Sequence, residues 1–189
     1  MSFRILRASV MVEQNDDFHE ARLLLLLHHA STRGDGSIKG ITKLAKLDFF
    51  LRYPAFLRRL VAHRACESKW KREQMVPGEA FEENTVESKM IRFKYGPWDH
   101  RYREWLGLLN ARGLICTYVL GRTVNVQLTE KGKEVAANIA QCPEFSVLNA
   151  RSELVWTVAG ALSASRVKDL VYQLVPEITG MTWGEEIDQ

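Results

Sequence analysis

The stretch from Met90 to Leu128 constrains the fold more than any other part of the chain. Ile91, Phe93 and Tyr95 alternate with Arg92 and Lys94, a period of two that predicts a half-buried strand. Gly96-Pro97 breaks that strand, and Pro97 suits the first turn of a helix, where its missing N–H costs nothing. Trp98, Tyr102, Trp105, Leu106 and Leu109 then fall on one stripe of an α-helix, and Gly113 offers a left-handed stop. Two β-rich runs follow, Leu114 to Leu120 and Thr123 to Leu128. Gly121-Arg122 joins them and suits a type II′ hairpin with Gly first. A helix followed by a two-stranded hairpin is the second half of a winged helix. The expected fold is mainly α with a small β-hairpin, a winged helix-turn-helix core with a helical insertion and C-terminal helices.

The flanking sequence supplies the other helices. Asp16 and Asp17 are expected to cap a helix running to about Ala30. Leu23 to Leu27 make it apolar on nearly every face, as a central core helix would be. Ser37 to Ile41 reads as a short strand. Thr42 is expected to cap a second helix with Leu44, Leu47, Phe50 and Leu51 inside. That helix must stop near Tyr53, because Pro54 disfavours helical geometry in the residue before it. A third helix starts at Pro54 and carries Phe56, Leu57, Leu60 and Val61. Residues 54–88 read as an insertion between the second and third helices of the winged helix. Thr129 is expected to cap a helix to about Ala140. Pro143 starts another with Phe145, Val147, Leu148, Leu154 and Val155 inside, and a last helix spans about Ser163 to Val175 with Val167, Leu170, Val171 and Leu174 inside. The expected organisation is a winged-helix domain over 1–142, with the insertion at about 54–88, and a C-terminal helical extension over 143–189 packed on it. A chain of 189 residues with 46% hydrophobic content can bury a real core.

A net charge of +3 and a pI near 8.8 are too mild to imply a polyanion partner by themselves. The distribution says more. From Arg33 to Arg72 there are eleven Lys or Arg against three acids, whereas no basic residue follows Lys168. Arg58, Arg59, Arg64, Lys69, Lys71 and Arg72, with Arg122 at the hairpin tip, are candidates for sequence-independent contact with DNA phosphates. The plainer reading of the same helix is a solvated face. The helix after Pro97 offers Arg101, Arg103 and Arg112 but also Asp99 and Glu104, a mixed face poorly suited to reading the major groove.

No catalytic constellation emerges. His28 and His29 point about 100° apart on a helix and cannot share an ion, and no nearby ligand completes a site. Asp99 reads as a first-turn acid facing the positive end of a helix dipole. No Gly-x-x-x-x-Gly-Lys phosphate loop is present. The aromatic set Phe93, Tyr95, Trp98, Tyr102 and Trp105 reads as core rather than as a platform for bases. The chain is therefore expected not to be an enzyme, to carry no catalytic or metal-binding residues and to need no cofactor. Cys66, Cys116 and Cys142 are far apart and odd in number, as expected of a reducing cytoplasm. Met1 to Met11 lacks an apolar run of signal-peptide length, and Leu23 to Leu27 is too short to span a bilayer. The expected location is cytoplasmic, with no membrane partner.

Three stretches carry a family resemblance. They are Gly40-Ile41-Thr42-Lys43-Leu44-Ala45-Lys46-Leu47-Asp48-Phe49-Phe50-Leu51-Arg52-Tyr53-Pro54, Tyr95-Gly96-Pro97-Trp98-Asp99, and Leu170-Val171-Tyr172-Gln173-Leu174-Val175-Pro176-Glu177. Their order and spacing resemble the small middle component of ABC-three-component bacterial defence systems, the Lamassu type included. The likeness extends from about Glu20 to Glu186. The first stretch is the most specific; Tyr95-Gly96-Pro97 has counterparts in other winged-helix families. The resemblance implies a non-catalytic subunit that assembles with an SMC/Rad50-like ATPase and an effector, often a nuclease, in a complex that responds to phage or plasmid DNA. It carries over no catalytic residues. The function expected from the sequence is thus an adaptor between ATPase and effector, with non-specific contact to double-stranded DNA. The rival is a stand-alone winged-helix DNA-binding transcriptional regulator. For partner docking the candidate is Tyr172, at the edge of the last helix's apolar stripe, with the acidic tail as rim.

Overall fold

Five consecutive leucines can all be buried only if neighbours cover their helix on every side. Helix α1 (Asp16–Arg33) is covered in that way, and Leu23, Leu25, Leu26 and Leu27 are fully inaccessible. The structure, a computed structural model, describes residues 15–67, 76–77 and 89–188. Around α1 lie β1 (Ser37–Lys39), α2 (Ile41–Arg52), α4 (Tyr102–Ala111), β5 (Thr123–Leu128), α5 (Glu130–Gln141) and α6 (Ser146–Val155). Helix α3 (Pro54–Glu67) and α7 (Ala164–Leu174) pack on the far side of α2. The chain is mostly helical with small antiparallel sheets, and one hydrophobic core takes residues from both sides of position 142.

The helix ends correct two expectations. Asn15, not Asp16 or Asp17, caps α1: its backbone is extended and its Oδ1 accepts from the Phe18 N–H at 3.2 Å. The two aspartates follow in the first turn, where they favour the positive end of the helix. Thr42 does not cap α2; the cap is Gly40, with φ near +100° and no side-chain hydrogen bond. The chain leaves β1 and enters α2 within one residue, and only glycine takes that backbone conformation cheaply. Thr129 does cap α5, accepting from the Gly132 N–H at 3.0 Å.

The largest departure lies before α4. The strand expected over 91–95 is instead a tight hairpin, with β2 (Ile91–Phe93) pairing antiparallel to β3 (Gly96–Trp98). Lys94 and Tyr95 make the turn, and Gly96, with φ near +107°, follows it as the first residue of β3, paired with Phe93. Pro97 therefore sits in a short edge strand, where a missing N–H is tolerated, and not at the start of a helix. Asp99 turns the chain towards the helix: its Oδ1 accepts from the Arg101 N–H at 3.0 Å, and α4 begins at Tyr102 with Arg101 at its N-cap. The buried stripe of α4 is Tyr102, Trp105, Leu106 and Leu109, as the spacing requires.

The main sheet has the order β1–β5–β4, all antiparallel, with β4 at Ile115–Leu120. Gly121 and Arg122 form the exposed turn of the β4–β5 hairpin, Leu120 facing Thr123 across it. Gly121 has φ near +61° while Arg122 keeps a negative φ, the sign pattern of type II′. Insertion of two polar residues between Gly121 and Arg122 is expected to leave the thermal transition within a few degrees of the parent, since loop closure grows only slowly with length. Loss of the cooperative transition would show that this hairpin is more than a surface turn.

The C-terminal third differs from expectation in detail. After a short 3-10 turn at Pro143–Phe145, α6 buries Leu148, Leu154 and Val155 but leaves Val147 exposed, because the helix axis turns that position outward. A π-helical turn at Trp156–Gly160 leads to α7, which Ser163 caps and which buries Val167, Leu170 and Val171, with Leu174 half-buried. The acidic tail is not a free rim. A one-turn helix, α8 (Glu177–Gly180), buries Ile178, and the chain then runs back to bury Ile187.

Candidate functional site

A line of buried charge lies behind the β2–β3 hairpin. Asp48 and Arg52 sit one turn apart on α2, whose other faces are taken by Leu44, Leu47, Phe49, Phe50 and Leu51. Neither charged side chain can reach water, so each must find its partner inside. Arg22 Nε of α1 donates to Asp48 Oδ1 at 2.7 Å, and Arg52 Nε donates to Asp48 Oδ2 at 2.9 Å. Arg52 Nη1 donates to Asp99 Oδ2 at 2.9 Å, and Arg101 Nη2 donates to the same oxygen at 2.8 Å. The Tyr102 hydroxyl donates to Asp48 Oδ2 at 2.6 Å. Trp105 lies under three guanidiniums, those of Arg22, Arg52 and Arg101, at 5.7, 5.4 and 4.9 Å from its ring.

The charges hold one another ionised. Burial by itself would raise both carboxyls, but Arg22 and Arg52 keep Asp48 below the usual carboxylate range. For Asp99, burial is outweighed by the hydrogen bond from Arg101 and the charge of Arg52, which hold it far below that range. Burial and the nearby Asp48 push the Tyr102 hydroxyl well up, so it stays a donor. Asp99 is therefore not the simple dipole-facing acid expected from the sequence. It is the acceptor through which α2 grips the end of the hairpin.

Tyr53, beside Arg52, extends the grip to the tail. Its buried hydroxyl donates to the Ile187 carbonyl and accepts from the Met90 N–H, both at 2.8 Å. The tail then runs antiparallel to β2: Arg92 N–H donates to the Glu185 carbonyl at 2.7 Å, Gly184 N–H to the Arg92 carbonyl at 2.8 Å, and Ile187 N–H to the Met90 carbonyl at 2.8 Å. The result is a three-segment ribbon of tail, β2 and β3, clamped from behind by buried ion pairs.

The ribbon carries an unusual outer surface. Trp183 is 67% exposed, Tyr95 52% and Phe93 43%, with Trp98 half-buried beside them. Phe93 sits 6.2 Å from Trp183 and 6.3 Å from Trp98, centroid to centroid. The aromatic set expected to be core is thus divided: Tyr102 and Trp105 are core, whereas Phe93 and Tyr95 face outward on the hairpin. Tyr95 lies in the turn itself and Phe93 just before it, while Gly96 and Pro97 of β3 are buried against α2. At the base of the ribbon, Lys46 of α2 is buried with its ammonium donating to the Thr42 carbonyl at 3.0 Å. Burial, and then the charge of Lys168, lower its pKa to about 8.

Of the cations read as DNA contacts, Arg58, Arg59 and Arg64 lie on α3. Arg58 is exposed on α3. Arg59 donates to the Leu174 carbonyl and to Glu177, at 3.0 and 2.9 Å, and so ties α3 to the tail. Arg64 Nε donates to the Val158 carbonyl at 3.1 Å. Lys69, Lys71 and Arg72 lie outside the described residues. Arg122 is exposed at the β4–β5 turn. On α4, Arg101 is paired with Asp99, and Arg112 with Asp17 and Glu20. The basic surplus between Arg33 and Arg72 overstates the surface charge, because Lys43, Lys46 and Arg52 are buried.

Tyr172 is half-buried, with the Arg92 guanidinium 5.7 Å over its ring and its hydroxyl close to Gly96. The apolar stripe of α7 is occupied inside the chain, so what α7 offers a partner is its edge at Tyr172, which borders the hairpin. His29 is buried with Nε2 2.9 Å from Asn149 Oδ1, and His28 lies edge-on to it. Among the described residues no group of three or more His, Cys, Asp or Glu is placed to hold a metal ion. No described helix is long and apolar enough to cross a membrane. The residues that sequence reasoning missed are Asp48, Arg52, Lys46 and Trp183. For the first two a signal existed, since charges inside Leu47-Asp48-Phe49-Phe50-Leu51-Arg52-Tyr53 have no polar face to occupy; for Trp183 there was none. No family model, no curated protein and no solved structure matches the chain.

Proposed function

We propose that the protein is a non-catalytic adaptor subunit of an antiphage or anti-plasmid defence complex, linking an SMC/Rad50-like ATPase to its effector. In this reading α1, β1, α2, α4 and the β4–β5 hairpin are a winged helix-turn-helix core, with α3 and the β2–β3 hairpin inserted and α6 and α7 added. The observation that carries the reading is the aromatic face of the ribbon. Clustered exposed aromatics on a rigid support are characteristic of protein-binding surfaces. The three resembling stretches also meet behind that face: Arg52 of the first pairs with Asp99 of the second, and Tyr172 of the third abuts Gly96 of the second. The α4 surface favours a protein role over DNA readout, since Arg101 and Arg112 are already paired and Glu104 is exposed. Any contact with DNA would be non-specific and would run along the α3 face.

The test is co-expression of the tagged chain with the genes on either side, and purification from a nuclease-treated lysate. The ATPase is expected to elute with the chain in a fixed ratio without DNA. A chain that elutes alone as a dimer and binds one operator at nanomolar affinity would be a transcriptional regulator instead.

A further inference from the structure

At the base of the aromatic ribbon the chain leaves a cleft of about 180 Å3 between α2, β2–β3 and α4. Its walls are Phe93, Tyr95, Pro97 and Trp98; Lys46 lies at its floor and Arg103 at its rim. No carboxylate is among the residues that line it. Lys46 has given up most of its water, and its described hydrogen bond goes to a neutral carbonyl. Arg103 is exposed and makes no ion pair among the described residues. A desolvated cation without a counter-charge is costly, and an incoming carboxylate would offset that cost where a neutral ligand would not.

We infer that this cleft is the docking site for a linear segment of a partner protein, one that places an Asp or Glu side chain next to an aromatic or branched apolar one. The apolar side chain enters between Tyr95, Pro97 and Trp98, and the carboxylate meets Lys46 and Arg103. Charge complementarity and the size of the cleft select this occupant over a nucleic acid strand. Lys46 is 3% exposed, and the space beside it is about 180 Å3. One carboxylate side chain can enter that space and pair with Lys46, whereas a phosphate held between two sugars of a strand stays outside it. The inference deepens the adaptor reading by naming the chemistry of the docked segment, and its test needs no ATPase, so the two can fail separately.

The experiment is selection of random dodecapeptides by display against the full chain, followed by anisotropy titration of the enriched peptide. The enriched sequences are expected to hold an acidic residue within two positions of an aromatic or branched apolar one. Lys46→Met, Arg103→Gln and Tyr95→Ala are each expected to weaken binding, Lys46→Met by at least tenfold, at an unchanged melting temperature. Replacing the peptide's acid by its amide should weaken the parent's binding by a similar factor and Lys46→Met hardly at all, because the two changes remove one interaction. Arg103 and Tyr95 are on the surface, so these variants keep the test decisive if Lys46→Met alters folding. Absence of enrichment, enrichment of peptides without an acid, or equal binding by Lys46→Met would each overturn the inference. So would displacement of the peptide by a twelve-residue oligothymidylate, which would make the ribbon a nucleic-acid platform. Self-association abolished by Tyr95→Ala would assign the cleft to a second copy of this chain and overturn it too.

Discussion

Asp48→Asn is expected to cost about 3–5 kcal/mol of folding stability, the usual result of removing one partner from a buried ion pair. The substitution keeps the shape, deletes the charge and replaces one acceptor oxygen by an NH2 donor. Asp48 is fully buried and accepts from Arg22, Arg52 and Tyr102. Arg22 is also fully buried, with its Nη1 2.7 Å from the His19 ring nitrogen, and loss of the Asp48 charge removes the counter-charge of a guanidinium that water does not reach. Asp35→Asn, which breaks the exposed pair with Lys39, is the control and should change stability by less than about 1 kcal/mol. The pH dependence has a definite sign. Asp48 and Asp99 have folded pKa values below their unfolded ones. Their contribution is therefore present above about pH 4, the unfolded carboxylate range, and is lost as pH falls towards the folded values. Urea titrations at pH 7 and pH 3 should show a steep loss for the parent and a shallower one for Asp48→Asn. A parent whose stability is flat over that interval would mean that the two carboxylates are not held in this network.

Trp105→Ala is expected to be equally severe, about 3–5 kcal/mol, because it empties a large aromatic site in a packed core. Trp105 is fully buried, its Nε1–H donates to Asp16 Oδ1 at 2.8 Å, and its ring packs on His19 at 4.6 Å between centroids. It is also the surface on which the three guanidiniums lie, so its loss removes packing from the ion network. Leu108, three residues further along α4, lies at the edge of the buried stripe and is 37% exposed. Leu108→Ala should shift the urea midpoint by less than the equivalent of about 0.5 kcal/mol. If the two effects were exchanged, α4 would be turned the other way, and both the network and the hairpin it anchors would have to be redrawn.

Much of the fold was legible because it rests on local rules. The stripe on α4, the II′ turn at Gly121, the Thr129 cap and the stop at Tyr53 all follow from spacing and from single-residue preferences. The misreadings share a cause. Pro97 carries the same local signal at a helix start as in an edge strand, and only the pairing of Ile91 with Trp98 decides between them. The tail reads as solvated acid, but its backbone pairs with β2 about ninety residues earlier, and no local pattern announces a contact at that distance. The candidate site suffered most. Asp48 and Arg52 stand out as charges in an apolar run, but their partners Arg22, Asp99 and Tyr102 are too distant in sequence for a local pattern to name. Phe93 and Tyr95 look like core until the turn at Lys94-Tyr95 places them on the outer surface of the ribbon. Charge counting along 33–72 overstates the surface charge because it treats the buried Lys43, Lys46 and Arg52 as surface cations.

In the proposed function an SMC/Rad50-like ATPase docks on the aromatic ribbon. That claim is tested most directly by the amount of ATPase recovered with tagged variants that keep the parent's melting temperature. Tyr95→Glu and Trp183→Glu alter exposed ribbon residues, while joint replacement of Arg58, Arg59 and Arg64 by glutamine alters the α3 face. The ribbon variants are expected to lose the ATPase by tenfold or more, and the α3 variant to retain it. Full recovery with both ribbon variants, or loss with the α3 variant alone, would contradict the claim.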